Sequence, residues 1–407
     1  MEVDGRPDLG GMEKAFSINI MMRLVEFFAG RLIVDLFRGA APTTKERKQK
    51  KTCRRLGNRV WGAWDSLPNE LLVSVLMKLS LFDYLAVCGV CRSWRSVSID
   101  IRKKIIERQK PLVFAKPKYS KKACVLYNMF DGKTCKAMLK DLIWDLVGLS
   151  CGYLIMNDGY RGFWLVNLMT RHELHFPVLP GMTWGILDYQ FRAVLFVSTQ
   201  LSRFFTVLFS RNHNFLLLSE SGASGWQEYF LPNTNAGISD VKILDGKIFV
   251  LTCDGHFGEF NPKADPVLKL YNIKVPFQLS SQLCSQLVTS DNKLYVITYE
   301  YSMTVRYLSF YELDPKIESI KQINDLGSKS LFLSEFNSSV VDTTGWGAGN
   351  CVCVLDSYTL NRCSFFHLNG NKLATTPLYW NGHLKPFFWY IPGESCNISC
   401  VSDEFGT

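Results

Sequence analysis

Histidine is scarce in this chain, six in 407 residues, and no stretch supplies the roughly 20 uncharged apolar residues that a membrane-spanning helix requires. The nearest approach, Phe16 to Phe37, is interrupted by Arg23, Glu26, Arg31 and Asp35. Ile20, Leu24, Phe27 and Phe28 recur within it at helical spacing, which predicts a short amphipathic helix, either packed on the protein, poorly ordered or lying on a membrane surface. A mitochondrial presequence is the poorer reading, because Glu2, Asp4, Asp8 and Glu13 crowd a start where such signals avoid acids.

Catalytic signatures are also missing. There is no G-x-S-x-G elbow, no H-E-x-x-H, no G-x-x-x-x-G-K-[ST] and no G-x-G-x-x-G after a strand. Metal-ligand spacing is incomplete: Cys88 and Cys91 form a C-x-x-C, Cys351 and Cys353 a C-x-C, and His172 and His175 an H-x-x-H, but none has a second pair at zinc-site spacing. These residues are therefore read as core packing, with no metal and no cofactor expected. Cysteine itself is plentiful. Thirteen thiols, an odd number, in a chain that opens without a cleavable signal argue for a reducing compartment where they pack as small hydrophobes.

The positive charge is local. Residues 1–60 hold thirteen Lys or Arg against seven Asp or Glu, which leaves only +3 of the formal +9 for the other 347 residues. A basic stripe across the folded part, as nucleic-acid binding would need, is absent from such a balance. The run KERKQKKTCRRLGNR, from Lys45 to Arg59, has eight basic residues and one acid and no apolar periodicity, so it reads as a solvated linker. Recognition by a nuclear import receptor and simple solubilisation are both open readings of it.

From Trp64 to about Gln109 the pattern is helical. Leu71, Leu72, Val75, Leu76 and Leu79 form one stripe, with Ser66 as the expected N-cap and Pro68 tolerated in the first turn beside Glu70. Ser80-Leu81-Phe82-Asp83 has the capping-box spacing and predicts a second helix buried through Leu81, Leu85 and Cys88. A third begins near Cys91, carries Trp94, and continues as a basic amphipathic tail through Ile101, Ile105 and Ile106.

Beyond Pro111 the texture changes to short runs of β-branched, aromatic and apolar residues separated by Gly, Asn, Asp and Pro. Strands are expected at Tyr153–Asn157, Phe163–Leu168, Arg192–Ser198, Phe204–Ser210, Lys247–Thr252, Lys293–Tyr299, Val305–Leu313 and Cys351–Leu355. Asp245-Gly246, Asp254-Gly255, Asn369-Gly370 and Asn381-Gly382 signal tight hairpins and hence antiparallel meanders. About two dozen strands at ~40–50 residues per four-stranded unit give a β-propeller of about six blades, with seven as the alternative. A single sandwich of this length would be unusually large, whereas radial repetition spreads the core over small sheets and hides their edges.

The segment WDSLPNELLVSVLMKLSLFDYLAVCGVCRSWRSV, residues 64–97, resembles the F-box. Order, spacing and residue type agree at Leu67, Pro68, Glu70, Leu71, Leu72, Val75, Leu79, Asp83, Leu85, Val90, Cys91, Arg92 and Trp94, with Val75 where Ile is usual. The resemblance implies a Skp-type adaptor bound through the apolar Leu67, Pro68, Leu71, Leu72, Val75, Leu85, Val90, Cys91 and Trp94. Physical reasoning agrees, since three helices in about 45 residues cannot bury so many large apolar side chains among themselves. The competing reading is that this surface packs on the β domain.

The remainder resembles the plant DUF295 or KIB type of kelch-like propeller, through "LVGLSCGYLIM" at 146–156, "FWLVNLMTRHELHFPVLP" at 163–180, "KSLFLSEFNSSVV" at 329–341, "GNCVCVLD" at 349–356 and "PFFWYIPG" at 386–393. The expected organisation is an N-terminal extension (1–60, largely disordered), an F-box (61–110) and a substrate-recognition propeller (111–407), a multidomain α plus all-β chain. The implied function is a non-catalytic receptor that joins the adaptor, and through it a cullin-RING ubiquitin ligase, to a protein target in the nucleus, the cytoplasm or both. Trp164, Trp184, Trp226, Trp346, Trp380 and Trp389 compete between recognition and packing between blades. Trp346 is the first candidate for target recognition, being flanked by Gly345 and Gly347 in a turn with no obvious core, followed by Trp184 and Trp226. Two other classes stay open: a nuclear scaffold or nucleic-acid-associated protein using residues 45–59, and hydrolase or lyase chemistry assembled from several blades.

Overall fold

The computed structural model describes residues 67–88, 90–117, 123–138, 145–157, 162–168, 172–179, 191–198, 203–231, 236–276, 283–301, 305–334, 337–347, 349–356, 362–368, 371–378 and 384–392. The amphipathic stretch 16–37, the basic run 45–59, the Ser66 cap, the turns at 369–370 and 381–382, and Trp184 and Trp380 lie outside these residues. The chain divides into two units, one of residues 1–109 and 137–140, whose described part is mainly helical, and a larger β unit. No helix among the described residues is long and apolar enough to cross a membrane.

Among the described residues the helical unit has three helices, α1 (Asn69–Leu76), α2 (Leu81–Val87) and α3 (Arg92–Glu107). Pro68 stands just before α1 rather than inside its first turn, with an extended backbone (φ −53°, ψ 136°). Its carbonyl accepts from the backbone N–H of both Leu71 and Leu72, so a residue that has no N–H to offer starts the helix with its oxygen. The capping box forms before α2: the Asp83 N–H donates to Ser80 Oγ, whose hydroxyl donates to the Asp83 carboxylate at 2.6 Å.

The β unit consists of six sheets. Blade 2 spans strands Asp145–Ser150 to Glu173–Phe176, blade 3 Phe191–Ser198 to Gln227–Phe230, blade 4 Ile238–Leu244 to Leu268–Lys274, and blade 5 Leu283–Ser290 to Ser319–Gln322. Each is a four-stranded antiparallel meander. The first strand of each neighbours the first strand of the next, which places these strands innermost. Blade 1 takes its innermost strand from the far end of the chain, as Leu384–Tyr390 pairs with Leu112–Pro117, and this join closes the ring.

Repetition in the sequence becomes repetition in the backbone. The two-residue turns Asp245-Gly246 and Asp291-Asn292 link the first and second strands of blades 4 and 5, with positive φ at all four residues. Such turns carry the twist that the paired strands need. At the second DG signal only Gly255 is left-handed, with φ +87°.

Blade 6 departs from the expected meander. Lys329–Leu333 pairs antiparallel with the innermost Ser338–Asp342 but parallel with Cys351–Asp356. Successive strands along the chain still alternate in direction; what changes is spatial order, because Cys351–Asp356 lies on the far side of Lys329–Leu333 from Ser338–Asp342. The Thr343 hydroxyl and the Asn350 N–H tie the ends of the crossing segment to the carbonyls of Ser328 and Lys329.

The core lies in the seams between blades. Val207 and Phe209 pack with blade 4, whereas Phe204 and Leu208, on the other face of the same strand, pack with blade 2. A strand buried on both faces needs apolar residues at every position, which explains runs such as Tyr153–Asn157 and Phe163–Asn167, buried throughout.

Candidate functional site

The helical unit shows why the closing V-C-x-x-W has its spacing. Cys91 is the N-cap of α3, extended at φ −152°, and its Sγ accepts from the Trp94 N–H at 3.5 Å. Three residues is the distance from a cap to the donor it satisfies. The same geometry turns the Trp94 indole into the core, where it is 6% exposed beside Leu72, Leu76, Leu79, Tyr84, Val87, Val97 and Ile105. From α2, the Tyr84 hydroxyl donates to the Ser98 carbonyl at 2.6 Å, and the Ser98 hydroxyl donates to the Trp94 carbonyl at 2.6 Å. Burial, together with the neighbouring Cys88, holds the Tyr84 phenol well above its ordinary pKa, so it remains a donor.

These contacts sort the nine adaptor-surface candidates. Pro68 and Leu71 are exposed, Leu71 by 44%. Leu67, Val90 and Cys91 are half-buried at the margin of the core. Leu72, Val75 and Trp94 are buried, so they shape the surface from beneath and are not on it. The side chain of Leu85 lies outside the described residues. Tyr84 and Ser98 escaped the sequence reading, because a phenol bonding to a carbonyl fourteen residues away leaves no periodic trace. Ile99, exposed by 45% on α3, is a further apolar side chain left uncovered.

In the propeller, the expectation that Trp346 has no core does not hold. The crossing segment of blade 6 carries it to the seam with blade 1, where its ring meets Phe130 edge-on at 4.9 Å and approaches Phe332 at 6.4 Å. Trp226 fills the seam between blades 2 and 3, 5.2 Å from the Phe163 ring, and donates from Nε1 to the Pro177 carbonyl at 2.8 Å. Trp164 and Trp389 are buried outright. Cys351 and Cys353 lie in the blade 6 to blade 1 seam with their sulfurs 3.9 Å apart. The hydrogen bond from Cys353 pulls the Cys351 thiol down to about 6 and pushes that of Cys353 up.

Side chains of one blade satisfy the free edge of the next, where backbone groups would otherwise be orphaned. The Ser150 hydroxyl donates to the Leu195 carbonyl, and Ser239 to that of Ser285. The Asp240 carboxylate accepts the N–H of Leu287 at 2.8 Å and that of Val241 at 2.9 Å. Gln286 donates to the Ser334 carbonyl, Ser338 to that of Leu287, and Asn337 to that of Trp389. Lys242 reaches from blade 4 past blade 5 to the Ser338 carbonyl. These axial polar residues are thus engaged in holding blades together.

Comparison with known proteins follows this division of the chain. A model of the KIB1-4 beta-propeller matches residues 126–371, and an F-box-like model matches residues 64–103. A probable F-box protein of Arabidopsis thaliana is 24% identical over 296 residues, covering 66% of this chain and 78% of its own. A second from that plant, also designated F-box provisionally, is 21% identical over 389 residues, covering 81% of this chain and 98% of its own. An F-box/kelch-repeat protein of the same plant is 28% identical over 127 residues, 30% of this chain and 34% of its own. The propeller match spans more than half the sequence: the chain belongs to the KIB1-4 beta-propeller family, as a plant-type F-box protein in which an F-box precedes the propeller.

Proposed function

We propose that this protein is the substrate-recognition subunit of a Skp-cullin-F-box ubiquitin ligase, with α1 docking the adaptor and the propeller holding a protein target. The observation that carries this reading is the position of Pro68 and Leu71. They open the L-P-x-E-L-L motif, yet they remain exposed on a unit whose core is already filled by Leu72, Leu76, Tyr84 and Trp94. An apolar pair left outside a completed core fits a partner's surface.

The receptor's contribution is proximity and not chemistry. Holding a target beside a loaded conjugating enzyme makes the encounter intramolecular, with effective concentrations on the order of mM for tethered partners. The protein would work wherever adaptor and target meet, in the nucleus or the cytoplasm, and a reporter carrying residues 40–60 tests whether the basic run directs nuclear entry.

The direct test is co-purification of the full chain with the adaptor. Substituting Pro68→Ala together with Leu71→Asp abolishes the complex while the thermal unfolding midpoint stays near that of the parent protein. Undiminished adaptor recovery from that variant removes the ligase assignment.

A further inference from the structure

Blade 6 puts two thiols side by side at the place where the ring closes. Cys351 and Cys353 are the first and third residues of one strand, so their side chains leave the same face of it. That face is turned to the seam with blade 1, and the two sulfurs stand 3.9 Å apart there, neither of them in a disulfide. As core packing the two would be equivalent, yet their surroundings differ. The Ser330 hydroxyl lies 3.1 Å from the Cys351 sulfur, placed to donate to it. The hydrogen bond from Cys353, with that from Ser330, holds the Cys351 thiol at about 6 against the opposing effect of burial. Cys353 is the less exposed of the two and keeps its proton. A thiolate in contact with a protonated thiol is a nucleophile beside its resolving partner.

Access and strain add to this. Cys351 opens its strand directly after the crossing segment, whose Thr344, Gly345 and Gly347 are exposed. Fraying of such a terminal residue is among the least costly openings of a fold. Two steps along a strand separate Cα atoms by about 6.4–6.8 Å, the long end of what a disulfide spans. A bridge therefore draws the strand in. It disturbs the pairing of Cys351 with Ser330 and His367 and that of Cys353 with Phe332 and Phe365. Strain of this kind makes a disulfide easy to reduce, which suits a reversible bridge and not a structural one.

We propose that Cys351 and Cys353 form a peroxide-sensitive dithiol site, whose reversible disulfide loosens the seam that closes the propeller. The Cys351 thiolate attacks one oxygen of hydrogen peroxide; the O–O bond breaks and hydroxide leaves, giving a sulfenic acid. The Cys353 sulfur then attacks the Cys351 sulfur; the S–O bond breaks and water leaves with the Cys353 proton. Two electrons pass from the sulfurs to the peroxide, and a thiol reductant returns them. Phe332, Trp346 and Trp389 pack in the same seam, so a shortened strand is felt where blade 6 meets blade 1. The site is independent of whether the F-box binds an adaptor.

The experiment treats the full chain with hydrogen peroxide at neutral pH. Remaining thiols are then blocked with N-ethylmaleimide in denaturant, and tryptic peptides are weighed. Cleavage after Lys329 and Arg362 yields a peptide that holds Cys351 and Cys353 and no other cysteine. The expected product is that peptide unlabelled and lighter by two hydrogens, returned to double labelling by dithiothreitol. In Cys353→Ser the sulfenic acid has no partner, and dimedone traps it on Cys351; Cys353→Ala repeats the trapping without a hydroxyl in the seam. The thermal midpoint of the β-sheet transition falls on oxidation and recovers on reduction in the parent but not in Cys351→Ser. Full double labelling of the peptide after peroxide overturns the proposal. So does sulfinic or sulfonic acid on either cysteine without a disulfide, or a bridge from either of them to Cys363. A disulfide that forms with no change in the thermal midpoint overturns it as well, because the seam would then be indifferent to the bridge.

Discussion

The helical unit and the propeller solve the same problem in opposite ways. In the helical unit the caps act within three positions, Ser80 on Asp83 and Cys91 on Trp94, and the three helices fill a single shared core around Leu72, Tyr84 and Trp94. The propeller has no core of its own in any blade. The seams running from blade 2 round to blade 1 are each filled by two neighbouring sheets, and the seam between blades 6 and 1 waits for residues 384–391 near the end of the chain. The first design tolerates loss of a surface residue but not of an interior one; the second depends on the ring being closed.

The sharpest way to break this comparison is to remove residues 384–407. Deletion takes away the innermost strand of blade 1 together with Phe388, Trp389 and Tyr390, all fully buried. It also strands the Leu333 carbonyl that accepts from Trp389 Nε1. The expected outcome is loss of the cooperative β-sheet thermal transition and rapid proteolysis beyond residue 111. A cooperative melt in the truncated protein would show that the ring does not depend on its clasp.

Next in size is Trp94→Ala, which truncates a buried aromatic at a cost of ~3–5 kcal/mol. It is expected to melt the helical unit while leaving the β-sheet transition in place, as measured by circular dichroism at helix and sheet wavelengths. Gly237→Ala puts a methyl group against the Arg211 carbonyl, a clash that cannot be relieved without shifting the seam of blades 3 and 4. A loss of about 1–3 kcal/mol is expected from such overpacking, read from denaturant unfolding of the propeller. Tyr84→Phe removes one buried hydrogen bond while keeping the ring, and is expected to cost about 0.5–1.5 kcal/mol in the helical unit alone. Leu71→Ala is the smallest: within about 0.5 kcal/mol of the parent in stability, as for an exposed site, but strongly impaired in adaptor recovery.

Legibility in the sequence follows the same line. The capping box at Ser80 and Asp83, the strands Tyr153–Asn157 and Lys247–Thr252, and the Asp245-Gly246 turn were readable because each depends on periodicity or on a backbone angle set by adjacent residues. Helix α1 was readable as an element, but Pro68 proved to precede it. Trp346 shows the limit most clearly. Its flanking glycines suggested an exposed loop, and only the swapped strand order of blade 6 carries it onto Phe130, 216 residues earlier in the chain. Nothing local distinguishes Leu71, left on the surface, from Leu72, buried at 1% exposure; the two differ by one step of a helix whose orientation is set by α3.

The amino-acid sequence alone determined that three helices precede about two dozen strands, that these strands form antiparallel meanders of a propeller, and that an F-box precedes that propeller. Those properties depend on spacing and residue type, which a linear chain records directly. Tertiary structure decided which apolar residues are withheld from the core, how the C-terminal strand closes blade 1, and how Arg211 of blade 3 reaches the Cys284 sulfur of blade 5. Each is a relation between residues far apart in the chain, set by which surfaces meet once the strands have packed, and no local pattern encodes it.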